Sequence, residues 1–393
     1  MGPRWGRLTD ELKELLATRM ESDHLEVKSQ LRGVEGDVRE SICALANDLV
    51  PFAYPCTGNG AEAGGMKTLA LFNNKGGVGK TTLAYHLAHM FARLDVPTIA
   101  FDLDPQANLT AVFLSEEEVE ALWEGAGGHT IMACIEPLME GTGDVADPKP
   151  LEVAERLWLL AGHLGLSRFE DRLSGEWPRG HSKDPAALRV TSAFHRIMRL
   201  AARDTEAELG IIDVGPNLGA INRSALLAAD ALLIPLAADL FSLKGLENLG
   251  PSLREWREDW RRMLEVAPSG IDLPAGTMEP IGYVILQHEV RLDRPVPFRK
   301  WLDRIPQVYA EKVLGSPLSQ MLTPEEDPNC LATLRNYRSL MPMAHEARKP
   351  MFDLRAADGA IGSHARLVQI CYQDFEHLAR KVLERLALPV RAN

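Results

Sequence analysis

A chain of 393 residues, 46% of them hydrophobic, 25% charged and 6% aromatic, has the composition of a folded globular protein and is long enough for two domains or one large α/β unit with appendages. Its 43 Lys and Arg against 55 Asp and Glu leave a net charge of −12, which excludes coating nucleic acid through overall charge and restricts any such contact to a local patch. Five scattered cysteines, Cys43, Cys56, Cys134, Cys330 and Cys371, show no CxxC spacing, so neither a disulfide framework nor a zinc site is expected.

Residues 1–56 read as a small N-terminal extension: an amphipathic helix from about Thr9 to Met20, an alternating segment near Leu25–Leu31, and a second helix from about Glu35 to Leu49. Its expected role is dimerisation or partner docking. It lacks the apolar run of about 7–15 residues of a signal peptide, and no stretch approaches the ~20 apolar residues of a membrane span, so a cytoplasmic location is expected. Residues 57–65, TGNGAEAGG, have the composition of a flexible linker, which places the start of one large domain at residue 66, running to 393.

From Met66 onward, apolar runs of strand length alternate with helical patterns, as in βα units around a sheet buried on both faces. The expected strands are Thr68–Asn73, Pro97–Asp102, Leu157–Ala161, Leu209–Asp213, Ala231–Pro235 and Ile281–Leu286. Asp184-Pro185 predicts the capped start of a single helix carrying Leu188, Phe194, Met198 and Ala201, and Pro268–Pro280 reads as a surface loop. The fold class is therefore α/β, with a doubly wound, mainly parallel sheet.

The richest segment is Leu69–Leu83, an apolar strand running through NNKGGVGKTT into a helix beginning near Lys80. Such a turn lets successive N–H groups point at phosphate oxygens, and the helix N-terminus adds the positive end of its dipole. Gly76, Gly77, Val78, Gly79 and the amides through Thr82 form the expected cradle, Lys80 supplies charge to the β- and γ-phosphates, and the Thr81 hydroxyl is placed to ligate Mg²⁺.

A regular phosphate loop of the GxxxxGK[ST] type has Gly where Asn74 stands, and this one carries an additional lysine, Lys75. In this it resembles the deviant Walker A motif of the ParA/Soj/MinD family of P-loop NTPases. The resemblance implies that Lys75 reaches across a nucleotide-sandwiched dimer to the partner's phosphates. Phe101-Asp-Leu-Asp-Pro-Gln-Ala-Asn-Leu-Thr110 is similar to the family's switch segment, which gives Asp104 the attacking water and Asp102 a place near the metal's water shell; a role for both in capping the next helix stays open. Leu209–Asn217 is similar to a Walker B element and makes Asp213 a metal carboxylate, with Gly215-Pro216 where relatives carry two prolines. The implied ligands are ATP and Mg²⁺. The implied activity is slow, partner-stimulated ATP hydrolysis by a homodimer formed on ATP binding, used to partition or position DNA or another cargo. Non-specific DNA, with association to the nucleoid, and a stimulating protein are the implied partners; a protein or membrane partner without DNA is the alternative.

Other signals are weaker. Leu249, Leu253, Trp256, Trp260 and Met263 follow helical spacing, which favours core packing over a Trp/Arg nucleic-acid face, the neighbouring arginines being balanced by Glu255, Glu258 and Asp259. Arg366, Arg380, Lys381 and Arg385 on an expected C-terminal helix, Ser363–Leu388, suit either DNA phosphates or a solvated face, and that helix lacks the polybasic, aromatic-tipped character of a membrane anchor. A nitrogenase iron-protein-like redox role needs cluster cysteines after the switch, where Cys134 stands alone before Asp213. No glutaminase-type Cys/His unit supports an amidotransferase, and no C-terminal tyrosine cluster supports a kinase of the bacterial tyrosine type. His163, His181 and His288 show no ligand spacing.

Overall fold

The computed structural model describes residues 65–125, 128–288, 297–337 and 339–389. The helices expected at Thr9–Met20 and Glu35–Leu49, and all but the last residue of the 57–65 linker, lie outside them. The chain runs β1 (Lys67–Leu71), α1 (Lys80–Arg93), β2 (Thr98–Asp102), α2 (Asn108–Phe113), α3 (Glu116–Glu124), α4 (Ile131–Glu140), β3 (Leu151–Ala154), β4 (Leu157–Leu160), α5 (Ser167–Gly180), α6 (Pro185–Thr191), α7 (Ala193–Thr205), β5 (Leu209–Asp213), α8 (Ala220–Leu227), β6 (Ala231–Ala237), α9 (Leu240–Val266), β7 (Glu279–His288), β8 (Cys330–Arg335), α10 (Leu340–Ala347) and α11 (Ser363–Arg385).

These strands form one sheet in the order β3-β4-β2-β5-β1-β6-β7-β8, parallel except for the β3–β4 edge pair. Alternation explains the continuous apolar runs. Ala70, Ile99, Phe101, Ile212 and Ile234 turn to the layer built by α4 to α9, whereas Leu69, Leu71, Ala100, Ile211 and Leu233 turn to the layer of α1 and α11. Ile211, in register with Leu69 on β1 and Ala100 on β2, is fully buried; burial of such a side chain contributes about 1.5–3 kcal/mol.

Among the described residues all six expected strands are present, together with two that the sequence pattern does not mark. β3 and β8 are edge strands with half-exposed residues, so they lack the long apolar run that marks the central ones. The helix expected after Asp184 is two helices. Asp184 does cap the first through Ala186 N, but at Ser192 the Thr191 and Ser192 hydroxyls donate back to Ala187 O and Leu188 O and the backbone leaves helical geometry (φ −94°, ψ 8°). The stretch between Ser115 and Pro185 contains α3, α4, α5 and the two outermost strands at one side of the sheet, β3 and β4. The Trp stripe is core, as its spacing favoured: Leu249, Leu253, Trp256, Trp260 and Met263 are all buried, and the Trp260 ring N–H donates to Pro274 O in the 268–280 loop.

Candidate nucleotide site

The site lies at the C-terminal ends of the central strands, where chain direction away from β1 reverses and α/β sheets open a crevice. β1 stops because Asn73 leaves the ladder. Its buried side chain donates to Pro235 O on β6 (2.7 Å) and accepts from the Lys75 amide (3.0 Å), which ties the start of the loop to the sheet. Gly77 (φ 71°) and Gly79 (φ 93°) then adopt left-handed conformations that would strain any other residue. Gly79 is the residue before α1 and contributes no side-chain cap, leaving the first amides of the helix pointing into the loop.

Lys80 is buried, and its Nζ folds back toward Lys75 O at 3.4 Å. Burial pulls its pKa down while Asp213 and Asp104 push it up, the net being a lowered value. Asp102 and Asp213 lie side by side in register at the ends of β2 and β5, both fully buried. Asp213 Oδ2 accepts the Thr81 hydroxyl at 2.7 Å, and its Oδ1 is buried without a hydrogen-bond partner. Burial and then the neighbouring Asp102 raise the Asp213 carboxyl to about 8, against the Thr81 bond and Lys80. Asp102 carries the switch segment instead of facing outward: Oδ2 accepts Thr110 N (2.8 Å) and Oγ1 (2.7 Å), Oδ1 accepts Asp104 N (3.3 Å), and burial lifts its pKa to about 6. Asp104 accepts Gln106 N at 3.0 Å and faces the loop after β5, where a Cβ on Gly215 would stand 3.4 Å from its Oδ1. Both aspartates therefore organise the turn into α2, and Asp104 also faces the loop after β5.

Lys75 sits at the rim. Its Nζ pairs with Asp239, whose Oδ1 accepts Ser242 N as the cap of α9, and lies 6.0 Å from the centre of the exposed Phe241 ring. Beside the loop a cavity of about 100 Å³ is walled by Val78, Leu83, Leu286, Leu334, Tyr337 and Phe375, with Arg335 and Asn336 also lining it. Neither Asp239 nor this recess is evident from sequence reading. The D-x-x-S spacing at Asp239–Ser242 signals a helix cap but no lysine partner, and the recess joins strand ends separated along the chain.

Mg²⁺ fits these residues. Thr81 Oγ1 and Asp213 converge as hard oxygen donors, and the partnerless Asp213 Oδ1 is the kind of buried atom a hydrated divalent cation satisfies. The C-terminal basic cluster is largely engaged: Lys381 donates to Leu331 O, Arg385 to Pro328 O, and Arg380 pairs with Glu376. Cys134 is fully buried under the sheet, its thiol pushed up to about 12 by burial, which removes it from any surface where two subunits could share a cluster.

A family model described as an AAA domain matches residues 66–266. A putative replication protein A of Rhizobium rhizogenes is 29% identical over 240 residues, covering 56% of this chain and 54% of that protein. The chromosome-partitioning ATPase Soj of Thermus thermophilus is 29% identical over 192 residues, 49% of this chain and 63% of the relative. The matched stretches thus span 54% and 63% of these curated relatives. Among solved structures, protein DIP2308 from Corynebacterium diphtheriae shares the fold with a TM-score of 0.61 at 24% identity, over 82% of this chain and 99% of that one.

Proposed function

Because the chain belongs to the ParA-like family of P-loop ATPases, we propose that it is an ATP-dependent dimerisation switch whose slow ATP hydrolysis, stimulated by a partner protein, partitions or positions DNA or another cargo. One observation carries this reading: the loop has two lysines in different environments. Lys80 is buried inside the cradle, while Lys75 stands at the rim beside Phe241, 71% exposed, and near the exposed Leu240. Exposed apolar side chains around a rim lysine suit a face that a second copy covers, with each Lys75 released from Asp239 to reach the other subunit's phosphates.

Within the subunit, Lys80 and the amides of residues 76–82 bind the phosphates, and the recess beside Leu286 and Phe375 takes the flat base. Thr81 and Asp213 hold Mg²⁺, which when bound neutralises charge on the β- and γ-phosphates. Asp104 orients the attacking water, and Asp102, through Thr110, holds the switch segment in register with it. The switch works because the γ-phosphate binds one assembly state better than the other. The name of the Soj relative supports DNA as the cargo. The engagement of Lys381, Arg385 and Arg380 favours, as a second reading, a protein matrix over DNA held by α11.

The test is to size Asp104→Ala protein by light scattering with ATP, with and without duplex DNA, at two salt concentrations. The expected outcome is an ATP-dependent dimer that binds DNA only at low salt. A monomer under all conditions contradicts the switch; a dimer that ignores DNA at low salt transfers the reading to a protein partner.

A further inference from the structure

The loop between Asp213 and α8 lies against both halves of the nucleotide site. Pro216 packs toward Gly76, whose β-position lies 3.7 Å from the ring, and Gly215 faces Asp104. Its far end enters α8 at Gly219, which offers the helix no side-chain cap. That cap comes from elsewhere in the chain. Glu170, on α5, places Oε1 2.6 Å from Ala220 N and Oε2 2.8 Å from Ile221 N, so that its carboxylate accepts the first free amides of α8 and sits at the positive end of the helix. Gly219 makes room for it: a Cβ there would stand 2.6 Å from Glu170 Oε1 and 2.9 Å from Asn217 Oδ1. From the first turn of α8, Asn222 Nδ2 donates to Gly215 O (2.7 Å) and Asn217 O (2.6 Å) in the loop, and Asn217 Oδ1 accepts Gly219 N (2.8 Å). A second contact joins the same helices, Arg223 of α8 lying 3.8 Å over the Trp177 ring of α5.

We propose that Glu170 is a positioning residue for ATP hydrolysis: by capping α8 from the 115–185 segment, it holds the Gly215-Pro216 loop against Asp104 and the phosphate loop. This rests on the ATPase reading above. The loop carries glycine at position 215, and a loop with that freedom needs an external anchor to keep one geometry at the reacting end. Glu170 touches neither the cradle nor the base recess, so its removal should affect the chemical step and leave binding intact.

The experiment compares wild type, Glu170→Gln, Glu170→Ala and Trp177→Phe for ATP turnover, thermal midpoint and amide exchange at residues 214–221. Gln retains one acceptor oxygen and Ala none. The expected result is a kcat lower by about tenfold or more in Glu170→Ala and less so in Glu170→Gln, with KM for ATP within about twofold of wild type and faster exchange at Ala220 and Ile221. Trp177→Phe, which loosens the α5–α8 packing but keeps the carboxylate, should lower the midpoint and leave kcat unchanged. Wild-type kcat in Glu170→Ala overturns the proposal, as does a KM that rises in step with the loss, or an equal loss of kcat in Trp177→Phe. Absent turnover in the wild type would sink the ATPase reading itself; unaltered exchange at Ala220 and Ile221 in Glu170→Ala would separately sink the clamp.

Discussion

The Thr81 hydroxyl donates to Oδ2 of Asp213 at 2.7 Å, joining the first turn of α1 to the end of β5 across two neighbouring strands, while the other carboxylate oxygen stays buried and unpartnered. Asp213→Asn keeps an oxygen for Thr81 but removes the charge. Mg²⁺-dependent ATP binding should weaken by about tenfold or more, whereas the unfolding free energy should stay level or rise by about 1 kcal/mol, because a buried carboxyl beside Asp102 is replaced by a neutral group. Calorimetric titration with and without Mg²⁺, paired with urea unfolding, checks both; unchanged Mg²⁺ dependence would remove Asp213 from the metal site.

Lys80 is buried, and among the described residues its Nζ has a single, long hydrogen bond, 3.4 Å to Lys75 O, so it contributes little to the fold and is placed for a ligand. Lys80→Ala should lower ATP affinity by about a hundredfold or more while the thermal midpoint stays within a few degrees of wild type. Tight ATP binding by this variant contradicts the cradle assignment.

Lys75 and Asp239 form a half-exposed pair, and the carboxyl of Asp239 is held below its usual range, burial raising it but the Lys75 bond and the Ser242 amide outweighing that. Pairs of this exposure contribute about 0–1 kcal/mol, so Asp239→Asn should barely change stability and should leave ATP-dependent dimerisation intact. Lys75→Ala should retain ATP binding within a few fold, about 1 kcal/mol, and lose the dimer. Sedimentation with ATP distinguishes the two; a Lys75→Ala dimer as tight as wild type would take Lys75 out of the interface.

His86, in the middle of α1, is neutral in the native state. Its Nε2 accepts Met351 N (3.0 Å), which assigns the Nδ1 proton to the bond with Thr82 O (2.7 Å), and burial lowers its pKa to about 4. A folded value below the unfolded one of about 6.5 means that this stability is complete above pH 6.5 and is lost as pH falls toward 4, about 2 kcal/mol by pH 5. His89, also lowered by burial, acts in the same direction. Urea unfolding at pH 7.5 and 5 should show the loss, and His86→Gln should have a pH slope smaller by about one proton between pH 6 and 4.5. Equal slopes would mean that His86 is not the titrating group.

The sequence by itself determined the central strands and the glycine turn before α1, because both are local. Continuous apolar runs such as Leu209–Asp213 require burial on two faces, and Gly77, Gly79, Lys80 and Thr81 lie within one turn of backbone. The six central strands and the start of α1 were legible for that reason. The edge strands β3 and β8, half-exposed and short, carry no such signature, and the hydroxyl-driven break at Ser192 is hidden inside an otherwise helical pattern. What only the tertiary structure decided is which distant groups meet. Asp102 comes to lie beside Asp213, Lys75 finds Asp239, and Glu170 caps α8 from fifty residues away. Such pairings depend on strand order and on how the helices pack against the sheet, and the sheet's order, β4-β2-β5-β1-β6, is set by how whole layers bury their faces rather than by any local run of residues.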